Sequence, residues 1–384
     1  MLLLVGAEGP GISFPSPSRM LGLDGLRALA VTMVVVHNFG PLPGLSRYPW
    51  LGSLRAGYVG VTIFFVLSGF LITHLLVQEF VTSRRIGLGA FYTRRAVRLL
   101  PALLLCVLIL VAISVSLHFP RHEIVVAALA VGAYIFNFVA EHRPISQPLG
   151  VSGWGHLWSL SVEEQFYLVV PIVLLVLLRR FSQRTVMWSL TVGAVAASGW
   201  RTHLWWGGAS FFRLYLMTDT RVDALLIGAA LALAMRNYPA VVRTAARHPE
   251  VLLVGIVSLI VLADFGSSAE PDRSPGWLLG PGMLVVSLIS ASLIIVAVSV
   301  RVDDGRLARL LNNKIVSALG RRSYGIYLYH YPILTWVSHH RGGWLLSLAL
   351  TLAVAEISYR LIEQPLLRRA PRWSRRPAPV IRRG

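Results

Sequence analysis

Apolar residues in this chain run in unbroken stretches instead of alternating with polar ones, and the charged residues collect between the stretches. A helix that crosses a bilayer needs about 20 predominantly apolar residues in a row. Stretches near that length fall at 21–40, 58–80, 99–117, 123–141, 162–178, 186–206, 222–235, 250–264, 276–300, 324–338 and 344–362. The pattern predicts an all-α fold, a polytopic transmembrane helical bundle. Its orientation follows from the connectors, because arginine and lysine accumulate on the cytoplasmic side. Arg84, Arg85, Arg94, Arg95 and Arg98 share one connector, Arg179, Arg180 and Arg184 a second, and Arg236, Arg243 and Arg247 a third. The connector 301–322 and the tail from Arg368 onward are also basic. Placing all of these inside works everywhere except between 99 and 161, where two runs are present and an odd number of crossings is needed. Either one run does not span, or residues near Trp154 to Leu160 make a re-entrant half-crossing, which is tolerated only under cover of protein or a watery cavity. About ten spanning helices then remain, plus one non-spanning or re-entrant element, and both termini are cytoplasmic.

Composition supports lipid as the main solvent. Of 384 residues, 55% are hydrophobic and 14% are charged, whereas a soluble domain carries about a quarter charged. The net charge of +19 is nearly all arginine, with Lys314 the only lysine. Because these residues flank spans and do not line a soluble face, the charge predicts a bilayer partner and no nucleic acid. The single cysteine, Cys106, lies in an apolar run and cannot form an intrachain disulfide. Residues 1–19 are rich in Gly, Pro and Ser, have no basic residue before Arg19, and lack a signal-peptide pattern. They read as a disordered lead, with Met20 an alternative start, ahead of a membrane domain at 20–366 and a Pro/Arg-rich cytoplasmic tail at 367–384.

Four clusters are hard to explain as lipid-facing helix. In Leu23-Asp24-Gly25-Leu26-Arg27, followed by an apolar run to His37-Asn38, the ionisable groups are costly in hydrocarbon and should face the interior or a cavity. Histidine is also suited to take a hydroxyl proton near neutral pH; the plainer reading places His37 at the outer headgroup level. Gly57, Gly60, Ser68 and Gly69 are small residues of the kind that let membrane helices approach closely. The Phe91-Tyr92-Thr93-Arg94-Arg95-Ala96-Val97-Arg98 connector either holds the phosphates of a nucleotide-like donor or simply records topology. In Trp158-Ser159-Leu160-Ser161-Val162-Glu163-Glu164-Gln165-Phe166-Tyr167, the adjacent carboxylates point about 100° apart on a helix. That angle predicts one facing the interior and the other the interface. Arg221 and Asp223 read as an ion pair opening a span, and the tyrosines around His330 as interface anchors.

Taken in order, these motifs resemble the integral membrane acyltransferase-3 family. The resemblance runs from Leu23 to about Pro365. It is carried by Asp24-Gly-Leu-Arg27…His37, by the Gly57-to-Thr73 span, by Arg95-x-x-Arg98, by Trp158-to-Tyr167, by Arg221-x-Asp223 and by Ser323-Tyr-Gly-Ile-Tyr-Leu-Tyr-His-Tyr-Pro332. It implies a membrane O-acyltransferase with no permanently bound cofactor. Such an enzyme takes an acetyl or other short acyl group from cytoplasmic acyl-CoA, its co-substrate, to a hydroxyl of a glycan, glycolipid or small envelope-associated acceptor. His37 would be the catalytic base, with Arg27 and Glu163 as catalytic partners and Glu164 the more tolerant carboxylate. Arg95 and Arg98, with Arg94 a lesser candidate, would hold the donor. Ser68, Tyr167, Arg221, Asp223, Tyr324 and His330 would contact substrate, and no metal is implied. Some relatives continue into an esterase-like extracytoplasmic domain; the tail here predicts that the membrane domain stands without it.

One departure is visible. The family usually places ten residues between the arginine and the histidine, and here there are nine. An offset of 11 puts two side chains within about 20° of each other on an ideal helix, whereas an offset of 10 separates them by about 80°. The competing class is a transporter or flippase that moves a lipid or sugar without bond formation, since polar groups inside spans also suit a permeation path. Inverted repeats would favour that class, and none is evident.

Overall fold

The computed structural model describes residues 21–39, 57–142, 153–246, 276–299, 313–340 and 343–369, with a few further positions at 248–259, 309 and 311. The N-terminal lead, most of the basic tail and most of the apolar run at 250–264 lie outside the described residues. Every described element is helical. In chain order they are α1 Leu21–Phe39, α2 Gly57–Ser83, α3 Leu88–Ser116, α4 Arg121–Gly132, α5 Phe136–Glu141, α6 Trp158–Arg180, α7 Gln183–Trp206, α8 Phe211–Leu216, α9 Thr218–Asn237 and α10 Pro239–Ala246. After these come α11 Met283–Ser299, α12 Lys314–Arg321, α13 Ser323–His339 and α14 Trp344–Ser358, which runs on through Tyr359–Glu363 into α15 Gln364–Arg369.

Among the described residues, five helical stretches are long and apolar enough to cross a membrane: Gly57–Ser83, Leu88–Ser116, Gly155–Arg180, Leu278–Ser299 and Trp344–Leu366. The count of about ten also relies on α1, α7, α9 and α13. These have 19, 24, 20 and 17 residues, but polar side chains such as Asp24, Arg201, Asp223 and His330 dilute their hydropathy. Much of the outer surface is apolar, as a lipid boundary requires: Leu104 on α3, Val169 on α6, Val192 on α7 and Leu345 on α14 are all exposed.

The conflict between 99 and 161 is resolved by a break. The run at 123–141 is not one helix: α4 ends at Gly132, Tyr134 takes a left-handed φ of 57°, and α5 has only six residues. Twelve residues of α4 rise about 18 Å, well short of a hydrocarbon core of about 30 Å. The run at 99–117 is the C-terminal part of α3, which starts eleven residues earlier and carries the arginine connector on its first turns. Among the described residues, one helix long and apolar enough to cross, α3, separates that connector from the buried turn Gly153–Leu157, which leads into α6. Trp154 and Leu157 in that turn are almost fully buried.

Helix α2 is the axis of the bundle. Within its spanning window 78% of residues are buried, against 22% for the last span, so α2 meets protein on nearly every side. It packs on α1, α6, α9 and α11. Its closest neighbour is α9, where glycine faces backbone from both sides. A Cβ added at Gly69 would come 1.9 Å from the Leu225 carbonyl oxygen, and one at Gly228 would come 2.0 Å from that of Val66. Small residues permit this approach because helices in lipid associate by close packing. We expect Gly228→Ala to force α2 and α9 apart and lower stability by about 1–3 kcal/mol. Gly89→Ala, where an added Cβ meets nothing within 4 Å, should leave it unchanged or slightly higher. Thermal unfolding of the purified protein in detergent compares the two.

Candidate active site

The pocket-facing side of α2 is a single helical stripe. Val61, Phe64, Phe65, Ser68, Leu71, Ile72 and Leu75 recur at intervals of three and four and line one wall of a cavity of about 390 Å³. The other walls come from Leu23, Asp24 and Arg27 of α1, Arg95 and Arg98 of α3, Ser159 to Tyr167 of α6, and Ser323, Tyr324 and Tyr327 of α13. Polarity varies along it. Arg27, Arg95 and Arg98 gather at one end, carboxylates and hydroxyls occupy the middle, and the aromatic rings of Phe64, Phe65 and Tyr327 lie on the wall beyond them.

Two of the cations at this end, Arg27 and Arg95, are oriented by an acid or a ring. Arg27 lies 3.1 Å from Asp24, which also faces Arg321 at 3.8 Å. Arg95 donates to Glu164 at 3.1 Å and stacks on the ring of Tyr167. Arg94 turns the other way, toward Glu79 at 3.7 Å, and is not on the cavity wall. In the middle, Ser68 and Tyr167 both hydrogen-bond Glu163. Glu163 and Glu164 both line the cavity, so the separation expected from their 100° offset is corrected: the pocket wraps far enough round α6 to take both. Tyr324 is on the wall as well, its hydroxyl donating to the Leu99 carbonyl at 3.1 Å.

His37 stands beyond the inner end. Continuing the α2 stripe one step past Val61 reaches Gly57, and a Cβ added there would come within 2.5 Å of the His37 ring. The imidazole thus rests against bare backbone, about 6 Å along the axis from Val61 at 1.5 Å per residue. Tyr58 meets the ring edge-on, with centroids 5.1 Å apart. Helix α1 is regular from Leu21 to Phe39, with no bulge to offset the nine-residue spacing. Arg27 and His37 are consequently about 15 Å apart along α1, and of the two Arg27 alone is on the cavity wall. The direct partnership implied by the resemblance is not made here. Glu163 bonds Ser68, eleven residues or about 16 Å down α2 from Gly57, so its carboxylate is also remote from the imidazole.

The groups that surround His37 come from elsewhere. Next to it in sequence, Asn38 donates its amide to Nε2 of His330 at 3.0 Å, which leaves Nδ1–H of His330 to donate to the Tyr327 carbonyl at 2.7 Å. His330 is fully buried, and the ring of His156 lies 5.4 Å from it. Tyr327 donates its hydroxyl to the His156 carbonyl at 2.9 Å and pairs with the Ser159 hydroxyl at 2.5 Å. Sequence reading named His330 but passed over His156, Ser159 and Asn38 as site residues and took Tyr327 for an interface anchor. The available signal was a histidine and a serine directly flanking Leu157-Trp158 in a run otherwise apolar.

Arg221 and Asp223 are corrected as a pair. Asp223 binds Arg201 at 2.7 Å, with both side chains essentially sealed from solvent, and accepts from Ser198 at 2.7 Å. Arg201 also donates to the carbonyls of Thr220 and Gly280. Arg221 points away from Asp223: it donates to Thr62 at 2.7 Å and lies over the rings of Phe65 and Tyr215. Neither residue is on the cavity wall.

A family model described as an acyltransferase domain, that of the acyltransferase-3 family, matches residues 20–359. The chain belongs to this acyltransferase family. Among characterised relatives, the O-acetyltransferase OatA of Staphylococcus aureus is 33% identical over 367 residues, covering 91% of this chain and 58% of that protein. The peptidoglycan O-acetyltransferase OatA of Listeria monocytogenes is 32% identical over 361 residues, covering 90% of this chain and 55% of that protein. The chain therefore spans a little over half the length of the relatives it matches. No solved structure matches it. Within this acyltransferase, the Arg201–Asp223 pair ties α7 to α9 behind the cavity wall. Arg201→Ala should cost about 3–5 kcal/mol by leaving a buried carboxylate unpaired. Arg201→Leu combined with Asp223→Leu should cost much less. The folded fraction on size exclusion and the unfolding temperature of the two variants check this.

Proposed function

We propose that this acyltransferase is a membrane O-acyltransferase that carries an acetyl or other short acyl group from cytoplasmic acyl-CoA to a glycan hydroxyl. The observation that carries the reading is the α2 stripe: one continuous helical face leads from three guanidiniums to the imidazole of His37. Arginine clusters recognise phosphate through charge-assisted, often bidentate hydrogen bonds, so Arg27, Arg95 and Arg98 suit the phosphates of CoA. The narrow remainder of the donor then runs inward past Ser68 and Glu163 and presents its thioester toward His37. The acceptor hydroxyl oxygen attacks the thioester carbon, the C–O bond forms and the C–S bond breaks. His37 accepts the hydroxyl proton and returns it to the departing CoA thiolate. Arg27 acts in this scheme at the donor phosphates, and Glu163 at the donor's middle section.

The relatives' names supply the acceptor class, since one is called a peptidoglycan O-acetyltransferase. We place the mouth of the cavity and both termini in the cytoplasm of a cell-membrane protein, because the basic ends of α3, α6, α9 and α12 should collect on that side. His37 then faces the outer half of the bilayer, where an envelope glycan is met. With purified protein, radiolabelled acetyl-CoA and soluble peptidoglycan fragments, His37→Ala should lower turnover by about 10²- to 10⁴-fold while acetyl-CoA still binds. Near-normal turnover in a well-folded His37→Ala protein removes the assignment. Replacing Arg95 and Arg98 together by alanine should raise the KM for acetyl-CoA far more than that for the glycan. It should also flatten the loss of donor affinity with rising salt that the unaltered protein shows.

A further inference from the structure

The last turn of α1 lies between two helices, and adjacent residues face one each. His37 rests its ring against Gly57 of α2, while Asn38, about 100° round the axis, reaches α13. Both amide hydrogens of Asn38 are used. One goes to the Val34 carbonyl at 3.0 Å, one turn back in α1, and the other to Nε2 of His330 at 3.0 Å. These directions follow from what each partner can accept. The Tyr327 carbonyl, 2.7 Å from Nδ1 of His330, has no hydrogen to give, so Nδ1 carries the proton and a neutral ring keeps its lone pair at Nε2. Val34 also offers only a carbonyl, so the amide nitrogen of Asn38, and not its oxygen, stands between the two.

His330 is itself firmly seated. It is fully buried, and the His156 ring meets it edge-on with centroids 5.4 Å apart. Nε2 of His156 donates to the Leu328 carbonyl at 3.0 Å. That carbonyl is open to it because Pro332, four residues on within α13, has no N–H to complete the helical bond. His330 does not line the cavity, so a donor seated there does not meet its ring. We propose that His330 is a positioning residue for His37, acting through Asn38 to fix the rotation of the last turn of α1. This rests on the reading of His37 as the base given under Proposed function. Side chains reach about 5–6 Å from a helix axis, so a turn of about 10° carries the imidazole about 1 Å. A misplacement of that size at a reacting group costs about 10²-fold in rate.

Steady-state kinetics of the full chain in lipid nanodiscs test it, with radiolabelled acetyl-CoA and soluble peptidoglycan fragments. His330→Leu and Asn38→Ala should each lower kcat by about 10- to 100-fold and leave the KM for acetyl-CoA unchanged. The amide of His330→Gln can accept from Asn38 where Nε2 stood, so this variant should recover most of the lost turnover and keep the pH profile of the unaltered protein. Joining His330→Leu to Asn38→Ala should be no slower than the slower single variant, because both cut the same link. Multiplied losses in the double variant overturn the proposal. So does His330→Gln as slow as His330→Leu with an unchanged unfolding temperature, since the ring itself would then be required. Should His330→Leu not fold, Asn38→Ala, which leaves the buried ring in place, decides: near-normal kcat there, beside an inactive His37→Ala, removes the positioning role alone. An active His37→Ala removes the base reading and this role with it.

Discussion

A charged or hydrogen-bonding side chain placed among lipid tails has no water to turn to, so it must be satisfied by protein or by a cavity the protein encloses. Most of this structure follows from meeting that demand. Arg201 and Asp223 neutralise each other and draw in Ser198, Thr220 and Gly280. Gln165 staples the break between α4 and α5 to α6 by donating to the Tyr134 carbonyl and to Asn137, while accepting from Thr218. A second set, the guanidiniums of Arg27, Arg95 and Arg98 and the carboxylates of Glu163 and Glu164, is partnered along the wall of one cavity, Arg27 by Asp24 and Arg95 by Glu164.

Helix α2 answers two requirements with different faces. Toward α9 it presents Gly69 to an opposing backbone and meets Gly228 in return, which locks the bundle at close range. Toward α6 and α13 it presents large side chains that hold the walls apart around a cavity. Near its N-terminus Gly57 removes side-chain bulk, and the His37 ring of α1 occupies the space. A glycine can thus serve close packing at one level and seat a functional side chain at another, and position alone tells the two apart.

The resemblance tied Arg27 to His37 as partners, and the regular geometry of α1 separates them by about 15 Å, half the depth of the hydrocarbon core. Arg27 lies on the cavity wall, and His37 lies beyond it against Gly57 of α2. His37 is instead neighboured by Asn38 and Tyr58, and Asn38 bonds the buried His330, whose ring meets that of His156. The latter two histidines come from α13 and from the turn before α6, far apart in sequence.

The sequence alone was enough for the all-helical class of fold, for the acyltransferase family, and for the charged residues on the cavity wall at Arg27, Arg95, Arg98 and Glu163. Hydropathy and charge are summed along the chain, and a motif is contiguous, so each can be read without knowing which helix meets which. Counting charges left two readings between 99 and 161, a run that does not span or a re-entrant turn near Trp154 to Leu160, and could not choose between them. That choice came from the left-handed turn at Tyr134 and the brevity of α4 and α5. Partnership was likewise decided only in three dimensions. Asp223 found Arg201 instead of Arg221, Glu164 turned into the cavity beside Glu163, and His156 joined His330, because ion pairs and ring contacts depend on interhelical rotation and depth, which a one-dimensional pattern does not contain.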